Sequence, residues 1–229
     1  MKALKTLISV FLTLLGFFIL FDFCVYAVIF SKSYLNKKYR EYNVAADLSM
    51  TDEDLESVTE KLVNYVKGRE ESIDIEVSVR GEVCEFYNDT DISHMKDVRG
   101  IIIRLLDFLV LSSFAALLSA VLLIIGKAKE EFRNGVLIAD ALIVLLAGAV
   151  VIAANTNLDW LIVFAHGIFF SNSDWLLDPA YDNLIFLCPE QLFIDAGKVC
   201  GAFWIIYLVL ITAFFVIQKR LWRPRSSRR

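Results

Sequence analysis

The sequence predicts an α-helical polytopic membrane protein: four transmembrane helices with a small extracytoplasmic α+β domain. Three observations predict it. Apolar residues make up 57% of the 229, with 18 Phe among them. They gather in four blocks, each close to the roughly 20 residues that cross a bilayer. The connections between the blocks alternate in charge, basic on one side and predominantly acidic on the other. Such a composition excludes disorder, a collagen-like chain, a coiled coil and an ordinary soluble globule. The formal net charge of −4 carries no message about nucleic acid, and none is expected as a partner. Charge has meaning here only side by side across the membrane.

The first span lies in residues 1–30, behind Lys2 and Lys5. Its apolar stretch is too long for a typical signal-peptide core and lacks a small-x-small cleavage site, so it reads as an uncleaved span. The second span is 101–125, the third 136–154 and the fourth 193–217. Between the second and third, the loop 126–135 carries Lys127, Lys129 and Arg133. The tail 218–229 carries six basic residues and no acidic one. Both fall on the side of Lys2 and Lys5, which by the positive-inside rule is the cytoplasm. Both termini are then inside. The segment 31–100, with 16 acidic and 10 basic residues, and the shorter segment 155–192 are outside.

The outer segments have patterns of their own. Tyr34, Tyr39 and Tyr42 beside Lys37, Lys38 and Arg40 suit either the headgroup layer or the lining of a site. Ser49 and Thr51 are both placed to cap a helix ending near Val66, with Leu55, Val58, Leu62 and Tyr65 at helical spacing and Gly68 closing it. From 73 the period changes to two. Ile73, Ile75, Val77 and Val79 form one strand, Arg80-Gly81-Glu82 the turn, and 83–87 a second strand. In the segment 155–192 the apolar run 161–170 is too short to span and suits a re-entrant or interfacial helix. Trp160, Trp175 and Tyr181 read as interface anchors, and Pro179 and Pro189 divide the rest into short elements.

Charges at membrane depth need partners, water or a route to the surface. Arg104 and Asp107 are three apart on one helix face, and Asp22 lies at a similar outer depth as a second partner for Arg104. Asp140 falls nearer the inner end of the third span. Of the four cysteines, Cys24 and Cys200 lie within spans. Cys84 and Cys188 are outside, where an oxidising compartment permits a disulfide that sequence alone does not establish. The chain has no CxxC pair, HExxH, G-x-S-x-G elbow or Gly-rich phosphate loop, and no metal site is expected.

The two histidines, His94 and His166, both fall on the outer side. An ordinary reading makes each a hydrogen-bonded interfacial residue. A functional reading makes them an acid–base pair at the lipid headgroup, since imidazole is the side chain best matched to proton transfer near pH 7. Acyl transfer asks for two such groups, one removing a proton from an attacking amine and one supplying positive density to a developing oxyanion.

Two stretches carry a resemblance. In 86–100 stands His94-Met95-x-Asp97-Val98, with Asp91 three places before the histidine. In 164–193, His166 is followed by Phe170, Asn172, Trp175, Asp178-Pro179, Leu184-Ile185 and Pro189-Glu190. In both, and across essentially its whole length, the chain resembles the bacterial lipoprotein intramolecular transacylase family; that family more often has Glu where Asp91 stands. The resemblance implies an O-to-N acyltransferase. It moves the sn-2 acyl chain of an S-diacylglyceryl-cysteine to that cysteine's α-amino group, giving the N-acyl S-monoacylglyceryl (lyso) form. The catalytic residues it implies are His94 and His166, with His166 taking the amine's proton and His94 serving the oxyanion or the leaving oxygen. Tyr42, Asn43, Asp97, Arg104, Asn172, Trp175 and Asp178 are implied as substrate-binding or supporting. No cofactor is implied, because donor ester and acceptor amine belong to one molecule. The implied partners are diacylglyceryl-modified lipoprotein N-termini and membrane phospholipid, met by a monomer in the bacterial cytoplasmic membrane with its site on the extracytoplasmic face. Two other classes remain open at this point, a non-enzymatic lipoprotein- or lipid-binding module and, more weakly, a small transporter, for which no inverted repeat is visible.

Overall fold

The structure, a computed structural model, describes residues 1–221; the basic tail from 222 onward lies outside the described residues. Four helices among them are long and apolar enough to cross a membrane. They are α1 (Lys2–Ile29), α5 (Asp89–Ile125), α6 (Lys129–Thr156) and α9 (Glu190–Leu221). Helix α1 is the hub, packed on α6 and α5 and more lightly on α9. Its meeting with α6 is close because the facing residues are small: a Cβ on Gly135 would stand 2.3 Å from that of Ser9. Small residues are what let helix backbones approach in an apolar medium. At the same end Lys5 donates from Nζ to the carbonyl of Gly126, 2.7 Å away, meeting the negative end of α5.

Between α1 and α5 the chain builds a compact unit from α2 (Lys32–Glu41), α3 (Val44–Asp47), α4 (Asp52–Val66), β1 (Glu76–Val79) and β2 (Glu82–Glu85). Of the two hydroxyls placed to cap α4, Thr51 does so, accepting from the Asp54 amide at 3.0 Å. Gly68, at φ 72°, closes it, its amide donating to the Tyr65 carbonyl and that of Arg69 to Asn64. Left-handed geometry there favours a residue without Cβ. The hairpin is antiparallel, with Glu76 opposite Glu85 and Val79 opposite Glu82. Arg80 and Gly81, at φ 51° and 86°, form the two-residue turn. Left-handed backbone at both turn positions matches the twist of the flanking strands. The strands are shorter than expected from 73–79 and 83–87, because Ile73 and Phe86, each 1% exposed, are spent on the core beyond the ladder.

The core of this unit gathers Tyr39, Leu48, Val58, Val66, Ile73 and Phe86, and takes in Leu184 and Leu187 from α8 (Leu184–Leu187). Segment 32–41 is therefore not merely a headgroup anchor: Tyr39 is core, and its hydroxyl donates to the Leu187 carbonyl at 2.8 Å. That bond ties the segment after α7 to the segment after α1. Helix α7 (Leu158–Phe169) supplies the short apolar helix anticipated at 161–170.

Candidate active site

Helix α5 begins twelve residues before its apolar run, and this places His94. Asn88 caps it reciprocally. Its side chain accepts from the Asp91 amide at 2.9 Å, and the Asp91 carboxylate accepts from the Asn88 amide at 3.4 Å. Such a box satisfies two otherwise orphaned donors at once. The same Asn88 donates from Nδ2 to Asp182 (2.6 Å) and to the Tyr181 carbonyl (3.0 Å), pinning the start of α5 to the segment between α7 and α8. Asn183 adds a bond to the Phe86 carbonyl at 2.9 Å. Asp91 is fully buried, and burial pushes its carboxyl up to about 6 against the hydrogen bonds it accepts from backbone amides.

One turn on, the His94 side chain is buried, and its Nδ1 has no hydrogen-bond partner. Burial, and then the neighbouring His166, push this imidazole below its ordinary 6.5, with Asp97 and Asp174 opposing. His94 is thus held neutral near pH 7.

His166 comes from the last turn of α7. Its Nδ1 lies 2.8 Å from the carbonyl oxygen of Ile162, four residues back. A carbonyl can only accept, so in the neutral ring Nδ1 carries the proton and Nε2 keeps the lone pair. The two imidazoles lie 6.3 Å apart between centroids, tilted by 32°. Phe170 adjoins both, at 5.0 Å from His94 and 5.5 Å from His166. The Trp175 indole stacks on His166 at 4.7 Å. Two imidazoles, His94 neutral and His166 with the tautomer of its neutral form set by the Ile162 carbonyl, therefore share an aromatic niche at the end of the bundle away from Lys5.

The loop after α7 is organised by Asn172. Its Nδ2 donates to Asp97 on α5 at 2.7 Å, its Oδ1 accepts from the Asp174 amide at 3.1 Å, and its carbonyl accepts the Trp175 indole N–H at 3.1 Å. Ser93 donates to the Asp174 carboxylate at 2.5 Å. These bonds hold the loop that presents Trp175 against the helix that carries His94. Asp178 shapes the next turn: its amide donates to Asp182 at 2.6 Å and its carboxylate accepts from the Ala180 amide at 2.9 Å.

Of the residues expected from sequence, His94, His166, Asp97, Asn172 and Trp175 come together. Trp175 is thus more than an interface anchor. Tyr42 donates instead to Asp195 of α9 at 2.8 Å, and Asn43, at φ 58°, is the left-handed residue that starts α3. Neither is joined to the histidines by a hydrogen bond or ring contact among the described residues. The ion pairs expected of Arg104 with Asp107 or Asp22 do not form. Arg104 and Asp107 point outward from α5, while Asp22 is buried against it with one carboxylate oxygen unpartnered. All four cysteines are free, so Cys84 and Cys188 form no disulfide. Among the described residues no group of three His, Cys, Asp or Glu is placed to hold a metal ion.

Sequence reasoning missed the Ser93–Asp174 bond, and nothing in the spacing of two residues 81 apart signals it. It also stopped short of extending α5 back to Asp89, although Asn88 and Asp91 stand at capping-box spacing.

The fold is similar to the in meso structure of the membrane-integral lipoprotein intramolecular transacylase Lit from Bacillus cereus. The TM-score is 0.76 at 19% identity, covering 96% of this chain and 100% of that one. A histidine-to-alanine variant of the same Bacillus cereus protein gives a TM-score of 0.71 at 19% identity over 96% of each chain. No curated protein sequence matches the chain. The family model described as lipoprotein intramolecular transacylase Lit matches residues 9–193, a stretch that holds both histidines and every residue of the niche. The chain belongs to the lipoprotein intramolecular transacylase (Lit) family.

Proposed function

We propose that this intramolecular lipoprotein transacylase moves the sn-2 acyl chain of an S-diacylglyceryl-cysteine onto that cysteine's α-amino group. The observation that carries the reading is the pairing of two imidazoles 6.3 Å apart, with Nδ1 of one held on a backbone carbonyl. The amine nitrogen attacks the ester carbonyl, an N–C bond forms, the C–O bond to glycerol breaks, and one proton passes from nitrogen to the leaving oxygen. His166, with its lone pair at Nε2, takes that proton; an α-amine of pKa near 8 asks little of imidazole. His94 donates to the developing oxyanion or to the leaving oxygen. Its unpartnered Nδ1 is a buried polar atom that a substrate oxygen would satisfy. No serine or cysteine is hydrogen-bonded to either histidine among the described residues, which favours direct amine attack over an acyl-enzyme. Donor and acceptor share one molecule, so the demand is orientation and no cofactor is called for.

Asn172, Asp97 and Trp175 are assigned to positioning the pair, and Tyr42, Asn43 and Asp178 to holding the elements that carry it. Arg104, exposed beside the start of the apolar run, is assigned to the lipid headgroup layer. The niche is read as extracytoplasmic and both termini as cytoplasmic. Lys127, Lys129 and Arg133 support this, standing at the end of the bundle opposite the histidines.

The test is mass spectrometry of a lipidated N-terminal peptide from a host that makes only diacylglyceryl-cysteine lipoproteins. Expression of this protein should conserve total acyl mass and move one chain to nitrogen. His94→Ala and His166→Ala should each slow that transfer about 10²- to 10⁴-fold. Unchanged lipopeptides despite confirmed membrane expression would sink the reading in favour of a binding module.

A further inference from the structure

The segment 31–100 is acidic by 16 residues to 10, and several of its lysines find carboxylates. Lys32 meets Glu56 and Glu60, Lys38 meets Glu41 and Asp195, and Lys61 meets Glu70. Lys96 and Arg99 of α5 form no ion pair among the described residues. Both line one open cleft of about 400 Å³, between α5, the end of α4 and the segment leading to β1. Sites for small molecules run to roughly 300–1,000 Å³. The Arg99 guanidinium lies 4.7 Å over the Tyr65 ring, and its Nη1 donates to the Glu71 carbonyl at 3.4 Å. Those contacts orient the fork and leave its other N–H groups to the cleft. Two carboxylates stand near. Asp74 accepts the Ser72 hydroxyl, and Glu71 is exposed and pairs with neither cation.

Ile92, Lys96 and Arg99 are four and three apart and share one face of α5. That face lies about 140–200° around the helix from His94, so the cleft is separate from the niche. Arg99 stands two residues before the apolar run that begins at Ile101, and Lys96 five. Their backbones are therefore about 3 and 8 Å above the run, and a headgroup layer is roughly 5–8 Å deep. Below the cleft the same face continues with Ile103 and Val110, 43% and 58% exposed. We propose that this cleft binds the phosphodiester of an anionic phospholipid in the leaflet at the histidine end. Arg99 and Lys96 hold the phosphate oxygens, and an acyl chain lies on Ile103 and Val110. The inference goes beyond the transacylase reading and does not rest on it; a diacylglyceryl-cysteine carries no phosphate. A planar guanidinium matches two phosphate oxygens, and an ammonium beside it adds a point charge. A soluble phosphodiester presents the same anion, but only a lipid also uses the apolar stripe directly beneath.

Native mass spectrometry of the purified full chain, released from detergent, tests this by counting bound lipids. The probes are phosphatidylglycerol, a diacylglycerol with the same chains, and glycerophosphoglycerol, which is the headgroup alone. Phosphatidylglycerol should saturate at one per chain and bind about tenfold or more tightly than either of the others. Lys96→Gln and Arg99→Gln should each weaken it about tenfold. Arg40→Gln, which removes an exposed cation of α2 outside the cleft, should leave it in place. If Arg99→Gln fails to fold, Lys96→Gln, at an exposed position, decides alone. Diacylglycerol binding as tight as that of phosphatidylglycerol, or lipid binding that Lys96→Gln and Arg99→Gln leave unchanged, overturns the site. An equal loss in Arg40→Gln also overturns it, since bulk charge would then be the cause. Headgroup alone binding as tightly as the lipid overturns the lipid assignment in favour of a soluble phosphodiester. No readout depends on acyl transfer, so failure of this site and failure of the transacylase reading are told apart.

Discussion

A single side-chain amide holds most of the geometry around the histidines. Asn172 spends both ends of its side chain and its own carbonyl on Asp97, Asp174 and Trp175. Asn172→Ala would leave the Asp97 carboxylate short of a donor and free the turn that keeps the indole on His166. The expected result is a transacylation rate lower by about tenfold to a hundredfold, since displacements near 1 Å are enough for such losses. Single-turnover kinetics would check it, and a rate equal to wild type would assign the network to the fold alone. Asp91 makes a prediction about pH. Its carboxyl is raised to about 6 in the folded chain from an ordinary 3.8. The stability linked to its protonated form is therefore fully present below 3.8 and is lost as pH rises through about 6. Asp91→Asn stays neutral throughout. Relative to wild type it should gain up to about 3 kcal/mol between pH 4 and 7, read as a growing difference in unfolding temperature. At this scale the sequence was legible in residue identities: both histidines, Asp97, Asn172 and Trp175 stand in motifs. Protonation was not. The tautomer of His166 depends on a carbonyl one turn away, which is visible only once α7 is known to be helical through Ile162.

Among the elements, the contact of α1 with α6 allows the sharpest test. Gly135→Ala would bring its Cβ to 2.3 Å from the Ser9 Cβ and 2.8 Å from the Val10 amide nitrogen. Neither neighbour is a flexible side-chain tip, so the helices must separate, at a cost of about 1–3 kcal/mol. Adding Ser9→Gly should recover only part of it, because the Val10 backbone remains in the way. Thermal unfolding of the two variants in detergent would show the order wild type, double variant, single variant. Element existence was well marked in the sequence by apolar blocks, the alternation from 73 and the cap at Thr51. Element ends were not. The start of α5 lies among polar residues that hydropathy alone assigns to the loop, and segment 32–41 hides a core tyrosine among lysines because its partners, Leu187 above all, come about 150 residues later.

For the whole molecule, what matters is how the early and late halves are fastened. Asp195 accepts from Tyr42, Lys38, Lys198 and Gln191. Tyr39 and Asn88 add bonds to the same late segment. Asp195→Asn would weaken the α2–α9 clasp while leaving the niche itself intact. The unfolding temperature should fall while the pH profile of the reaction stays unchanged, and a parallel collapse of activity at temperatures where the variant is fully folded would show that the clasp also positions the site. The broad class, four apolar helices and a small α+β unit, was readable from hydropathy. The fastening was not, because each bond joins residues whose meeting depends on the entire chain. The Ser9–Gly135 contact also has a consequence in time. The first helix made must wait for a partner 126 residues further along, on the order of ten seconds of synthesis. Until then its small-residue face is open to any other helix in the membrane. A cell making this protein needs either a translocation machinery that shelters that face or a first helix whose wrong encounters are weak enough to be undone when α6 arrives.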